Sequence, residues 1–122
     1  MHRILIVDDE LILRTLMADI LNRHDYQTIV AEDGIEALHI LETDHAFSLI
    51  ISDVFMPRMD GIALYEELQQ HYPDIPVLMT SVHWTDPGLI NVLQNEGVSY
   101  LPRPFTARQL LEKVIAIINK FH

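Results

Sequence analysis

Residues 3–10, Arg3-Ile4-Leu5-Ile6-Val7-Asp8-Asp9-Glu10, decide how this chain reads. Ile4 to Val7 run without alternation and are mostly β-branched, which suits a strand covered on both faces rather than one with a wet side. The acids that follow stop the run too early for a signal-peptide core. No other apolar run approaches the roughly 20 residues of a membrane span, so the chain reads as soluble and unprocessed. Taken alone, Asp8 and Asp9 are ordinary acids for the start of a helix, where a carboxylate caps free N–H groups.

Comparable short stretches recur at 28–31, 47–51, 77–80 and 98–101, and the segments between them have helical spacing. Leu13, Leu16, Met17, Ile20 and Leu21 fall on one face of a first helix, with Arg14, Asp19 and Arg23 pointing elsewhere. Asp33-Gly34 opens a second helix through Leu41, and Gly61 opens a third carrying Ile62 and Leu68. Pro87 suits the first turn of a fourth carrying Leu89 and Leu93. In the last helix Leu110, Leu111, Val114 and Ile118 oppose Arg108, Glu112, Lys113 and Asn119. Strict strand–helix alternation implies a doubly wound α/β domain with a five-stranded parallel sheet, because each parallel pair needs a crossover long enough to hold a helix. Ligands of such open sheets gather at the carboxyl ends of the strands, where strand order reverses.

The 122 residues, 49% of them hydrophobic, fit one domain spanning 1–122 with enough apolar mass for a core. No repeat, low-complexity tract or linker suggests a second. With 18 Asp and Glu against 8 Lys and Arg, the net charge of −10 opposes direct binding to nucleic acid or an anionic membrane and favours cationic partners. The absence of cysteine excludes disulfides, thiolate metal sites and a cysteine nucleophile. It fits a reducing compartment, and the cytoplasm is the expected location.

The predicted strand ends carry the chemistry. The first ends at Asp8-Asp9, the third at Asp53, the fourth at Thr80-Ser81, and the fifth leads into Tyr100-Leu101-Pro102-Arg103-Pro104-Phe105. Three convergent carboxylates about 4 Å apart would repel by roughly 4 kcal/mol per pair at an effective dielectric near 20. Arg103 offsets part of that. A hard divalent cation held by oxygens, such as Mg²⁺, would offset the remainder.

Those stretches, with Ser52-Asp53-Val54-Phe55-Met56-Pro57-Arg58-Met59-Asp60-Gly61 and Val77-Leu78-Met79-Thr80-Ser81, resemble the receiver domain of bacterial two-component response regulators over essentially the whole chain. The resemblance implies a flavodoxin-like, CheY-like (βα)5 fold with strand order 2-1-3-4-5. It implies that Asp53 is the phosphoacceptor, taking a phosphoryl group from a sensor histidine kinase or phosphotransfer protein. It also implies that Asp9, Asp53 and the backbone carbonyl of Phe55 hold Mg²⁺ directly, with Asp8 assisting through water. Thr80 would turn its hydroxyl to a phosphoryl oxygen while Tyr100 rotates inward, signalling to an output domain or downstream protein. Relatives of this kind commonly pair through the fourth helix, fifth strand and fifth helix. No turnover is expected beyond self-phosphorylation and slow self-dephosphorylation.

One residue departs from the family pattern. Arg103 stands where lysine usually precedes the proline, and it keeps the charge while replacing a compact ammonium with a planar fork. Metal binding and phosphorylation are expected to survive, and coupling to Thr80 is the step placed in question. The bond before that proline is usually cis in the family, which Arg103-Pro104 permits. Two positions flanking the site, Phe55 and Val82, offer no group to orient water, so self-dephosphorylation should be slow.

Two other functions compete. Arg103 motivates a phosphorylation-independent interaction module on the same fold. A freestanding hydrolase or phosphotransfer enzyme is disfavoured, because no G-x-x-x-x-G-K-[ST] loop, G-x-S-x-G elbow or H-E-x-x-H helix is present. Asp60 and Gly61 read as turn and helix-start residues, Met56, Met59 and Met79 as loop and core filling, and the seven histidines as solvated surface. Trp84 marks either a contact surface or packing against its own loop.

Overall fold

A computed structural model describes residues 2–81, 91, 93–95 and 97–122. Its strands are β1 (Arg3–Val7), β2 (Gln27–Ala31), β3 (Leu49–Asp53), β4 (Val77–Ser81) and β5 (Ser99–Pro102). Its helices include α1 (Leu11–Asn22), α2 (Gly34–Thr43), α3 (Gly61–His71) and a carboxy-terminal helix (Ala107–Phe121). Asn91 and residues 93–95 are also helical, and Leu93 is buried. The expected helix start at Pro87, with Leu89, lies outside the described residues, as do Val82, His83 and Trp84.

The sheet is wholly parallel, in the order β2-β1-β3-β4-β5. Successive side chains along a strand point to opposite faces, so each central strand feeds two cores. Leu5, Val7, Ile50 and Met79 pack with Ala37, Leu41, Leu64 and Leu68 beneath α2 and α3. Ile4, Ile6, Leu49, Ile51 and Leu78 pack with Met17, Leu21, Leu110, Val114 and Ile118 beneath α1 and the carboxy-terminal helix. That double coverage is why the central runs show no polar alternation.

The edges behave differently. β2 has one neighbouring strand and leaves Ile29 and Val30 partly exposed, so its apolar run does not report burial on both faces. On α1, Met17 and Leu21 are buried but Leu16 is half exposed, and Leu11 and Ile12 face outward. The apolar arc of this helix is wider than the face the sheet covers. β3 begins at Leu49 rather than residue 47, and the Phe47 ring packs under the Arg3 guanidinium.

Helix starts follow their capping residues. The Asp33 side chain accepts from the Glu36 N–H, Asp60 accepts from Ala63, and Thr106 forms a reciprocal capping box with Gln109. α1 is the exception, since its N-cap, Glu10, makes no side-chain cap bond. The Asp8 side chain instead accepts from the N–H of that N-cap residue, one position before the helix begins.

Candidate functional site

Three parallel strands end at one edge and deliver the acidic residues together. Asp8 and Asp9 follow β1, and Asp53 closes β3 beside Thr80 of β4, its partner in the ladder. One carboxylate oxygen from each of Asp8, Asp9 and Asp53 lies within 4.8 Å of the others. Asp8 and Asp53 are buried while Asp9 is exposed, so the cluster opens to solvent on one side. Asp8 Oδ1 accepts from the Glu10 N–H at 2.9 Å, and Arg14 donates to the Asp8 carbonyl at 2.7 Å.

Burial pushes the Asp53 carboxyl up to about 6. The Arg103 guanidinium opposes that, the Asp8 charge adds to it, and the backbone amides of Phe55 and Val54 pull the other way. Asp53 therefore sits in a desolvated pocket with donors aimed at it.

Arg103 threads the same pocket just beyond β5, anchored by its own N–H to the Ser81 carbonyl at 2.9 Å. Its Nη2 donates to the Asp8 carboxylate and, at 2.8 Å, to the Thr80 hydroxyl. Its Nη1 lies 3.7 Å from Asp53, and its buried Nε has no hydrogen-bond partner among the described residues. The Arg103–Pro104 peptide bond is cis, as the sequence permits. Of the residues expected at the site, Asp8, Asp9, Asp53, Thr80 and Arg103 come together. Tyr100 is 39% exposed, so its ring is not turned inward here, and the Phe55 side chain is 47% exposed while its amide faces Asp53.

Two contacts escaped the sequence. Arg14, read as pointing away from the core, reaches back to Asp8, and Arg58 reaches Asp33 across 25 residues. A cation one helical turn into α1 could have flagged the first; no local pattern flags the second. The donor set of the cluster is carboxylate oxygen alone, which suits a hard divalent cation such as Mg²⁺.

The profile of the response regulator receiver domain matches residues 4–115. The chain belongs to that family. A solved CheY-like receiver domain protein from Methanospirillum hungatei JF-1 superposes with a TM-score of 0.92 at 27% identity, covering 99% of this chain and 96% of that one. The chemotaxis response regulator CheY4 of Vibrio cholerae superposes at 0.87 with 30% identity, covering 96% and 98%. By sequence, the receiver domain is 34% identical to the transcriptional regulatory protein CpxR of Klebsiella pneumoniae over all 122 residues, which are 51% of that protein. The chain thus spans about half the length of the curated relatives it matches. Among the described residues, no helix is long and apolar enough to cross a membrane.

Proposed function

We propose that this receiver domain is a Mg²⁺-dependent aspartyl-phosphate switch with Asp53 as its nucleophile. The observation that carries the reading is the convergence of Asp8, Asp9 and Asp53 within one small volume, with Thr80 and a guanidinium at its inner wall. Asp9, Asp53 and the Phe55 carbonyl would hold the metal, with Asp8 behind them. A metal held there would supply positive charge to offset the negative charge developing on the group in transfer. An Asp53 carboxylate oxygen forms the new P–O bond as the P–N bond of a kinase phosphohistidine breaks; the electron pair of that bond stays on the ring nitrogen, and the imidazole, protonated on its other nitrogen, departs neutral. Arg103 Nη1, close to Asp53 and without a short bond to it, is placed to meet the phosphoryl oxygens. Thr80 follows once its hydroxyl leaves Arg103, and Tyr100 then has room to rotate.

The exposed apolar residues Leu11, Ile12 and Leu16 begin two residues beyond Asp9 and offer a seat for the donor protein beside the site. The phosphorylated form should be long-lived, since Phe55 offers no group to position water. The cytoplasm is the proposed location, and the response passes to an output unit or a downstream protein.

Acetyl phosphate with Mg²⁺ should label the wild type stoichiometrically and leave Asp53→Ala unlabelled. Equal labelling of both would sink the reading. The bond from Arg103 to Thr80 specifically favours a second reading, an interaction module that works without phosphorylation. Partner binding unchanged in Asp53→Ala would select it.

A further inference from the structure

Loop 54–60, which links β3 to α3 and carries Phe55, is fastened at both its return end and its tip. At the return end the Gly61 N–H donates to the Val54 carbonyl at 2.7 Å. A Cβ on Gly61 would stand 2.3 Å from the Asp53 carbonyl oxygen, so the loop closes hard against the backbone of Asp53 itself. At the tip, Arg58 Nε donates to Asp33 Oδ2 at 2.6 Å and Nη2 pairs with the same oxygen. Met59 lies over Gly34 so closely that a Cβ there would be 2.8 Å from its Cγ.

Asp33 serves two elements at once. It is buried, and its other oxygen caps α2 through the Glu36 N–H at 2.9 Å. Burial raises its carboxyl, and the Glu36 amide and Arg58 more than reverse that, holding it below the usual range. Arg58 meanwhile adopts a φ of +64°, the left-handed region that glycine enters at far lower cost. Backbone geometry does not ask for arginine there, so what the position uses is the guanidinium.

We propose that Arg58 and Asp33 form a positioning clip, which holds the tip of loop 54–60 on the start of α2, fixes the Phe55 backbone against Asp53, and thereby sets Mg²⁺ affinity. The clip rests on the reading of Asp53 as a Mg²⁺-dependent phosphoacceptor. Simple charge effects predict something different. Removing Arg58 takes away a cation and should tighten Mg²⁺, whereas neutralising Asp33 takes away an anion and should weaken it. Under the clip both changes weaken it.

Amide shifts titrated with MgCl₂, together with melting temperatures, test this on wild type, Arg58→Met, Arg58→Lys, Arg58→Gly, Asp33→Asn and the Arg58→Met/Asp33→Asn double variant. Asparagine caps as well as aspartate, so α2 is preserved. The clip predicts that Arg58→Met and Asp33→Asn each weaken Mg²⁺ by about tenfold, the usual scale for groups that orient ligands from behind. The double variant should be no weaker than either single one, Arg58→Lys should recover part of the loss, and Arg58→Gly should weaken Mg²⁺ without lowering the melting temperature. Tighter Mg²⁺ binding by Arg58→Met, additive losses, or affinity that falls only in step with melting temperature would each overturn the clip. If those results come with normal labelling of the wild type, the clip alone fails. If the wild type neither binds Mg²⁺ nor takes label, the phosphoacceptor reading fails and the clip with it.

Discussion

At the scale of single residues, Arg103 is the group that distinguishes this site. Arginine carries five donors in a rigid fork, and here one nitrogen spans from Asp8 to the Thr80 hydroxyl. The threonine that would report phosphorylation is thus tethered before the event. Arg103→Lys, which keeps the charge but replaces the rigid planar fork with a compact ammonium on a flexible stem, should release it. Compared between free and beryllofluoride-bound protein, the chemical-shift changes at Thr80 and Tyr100 should be larger in Arg103→Lys than in wild type; equal changes would show that the tether does not restrain the switch. Asp53 yields a pH prediction. Its folded pKa, near 6, lies above the ordinary 3.8, so the folded state holds the proton more tightly than the unfolded chain. Its contribution to metal-free stability is therefore lost as pH rises from about 4 to about 6 and stays lost above that. Asp53→Asn should melt higher than wild type at neutral pH without metal, and the advantage should vanish below about pH 4. A constant difference across that range would contradict the assignment.

At the scale of elements, the start of α3 is packed against the end of β3 with no slack. Gly61→Ala would press a methyl carbon into the carbonyl of Asp53 and the Cα of Val54, neither of which can swing aside. Overpacking of this kind costs about 1–3 kcal/mol. Chemical denaturation should show that loss, and acetyl phosphate labelling should slow because the nucleophile shares the displaced backbone. α1 is the opposite case, a helix with apolar surface to spare. Ile12 is 84% exposed, so Ile12→Asp should leave stability and acetyl phosphate labelling intact while slowing transfer from a phosphorylated kinase. Slowing of both reactions would place the residue in the folding of the site rather than in docking.

At the scale of the whole molecule, legibility in the sequence followed coverage and distance along the chain. β1, β3 and β4 were readable because neighbours on both sides and helices on both faces leave no alternating polar face along them, and polar residues gather only at their carboxyl ends. At the edges that logic weakens, which is why the burial expected of β2 did not hold. The three carboxylates were readable because the ends of parallel strands must meet at one edge. The tether from Arg103 to Thr80 and the clip from Arg58 to Asp33 were not, because partners 23 and 25 residues apart meet through side-chain conformation and leave no periodic trace. At the opposite pole of the sheet, His122 donates to the Ser48 carbonyl, Ser48 bonds to Arg3, and the His2 ring stacks near that of His122. Ser48 and Asp53 are separated by five strand rises, about 17 Å. Any polypeptide continuing past His122 would therefore leave from the far end of the domain, beyond direct reach of a phosphoryl group. Word of the chemistry would have to travel the length of the strands, or around the flanks of the sheet, before such a segment could respond.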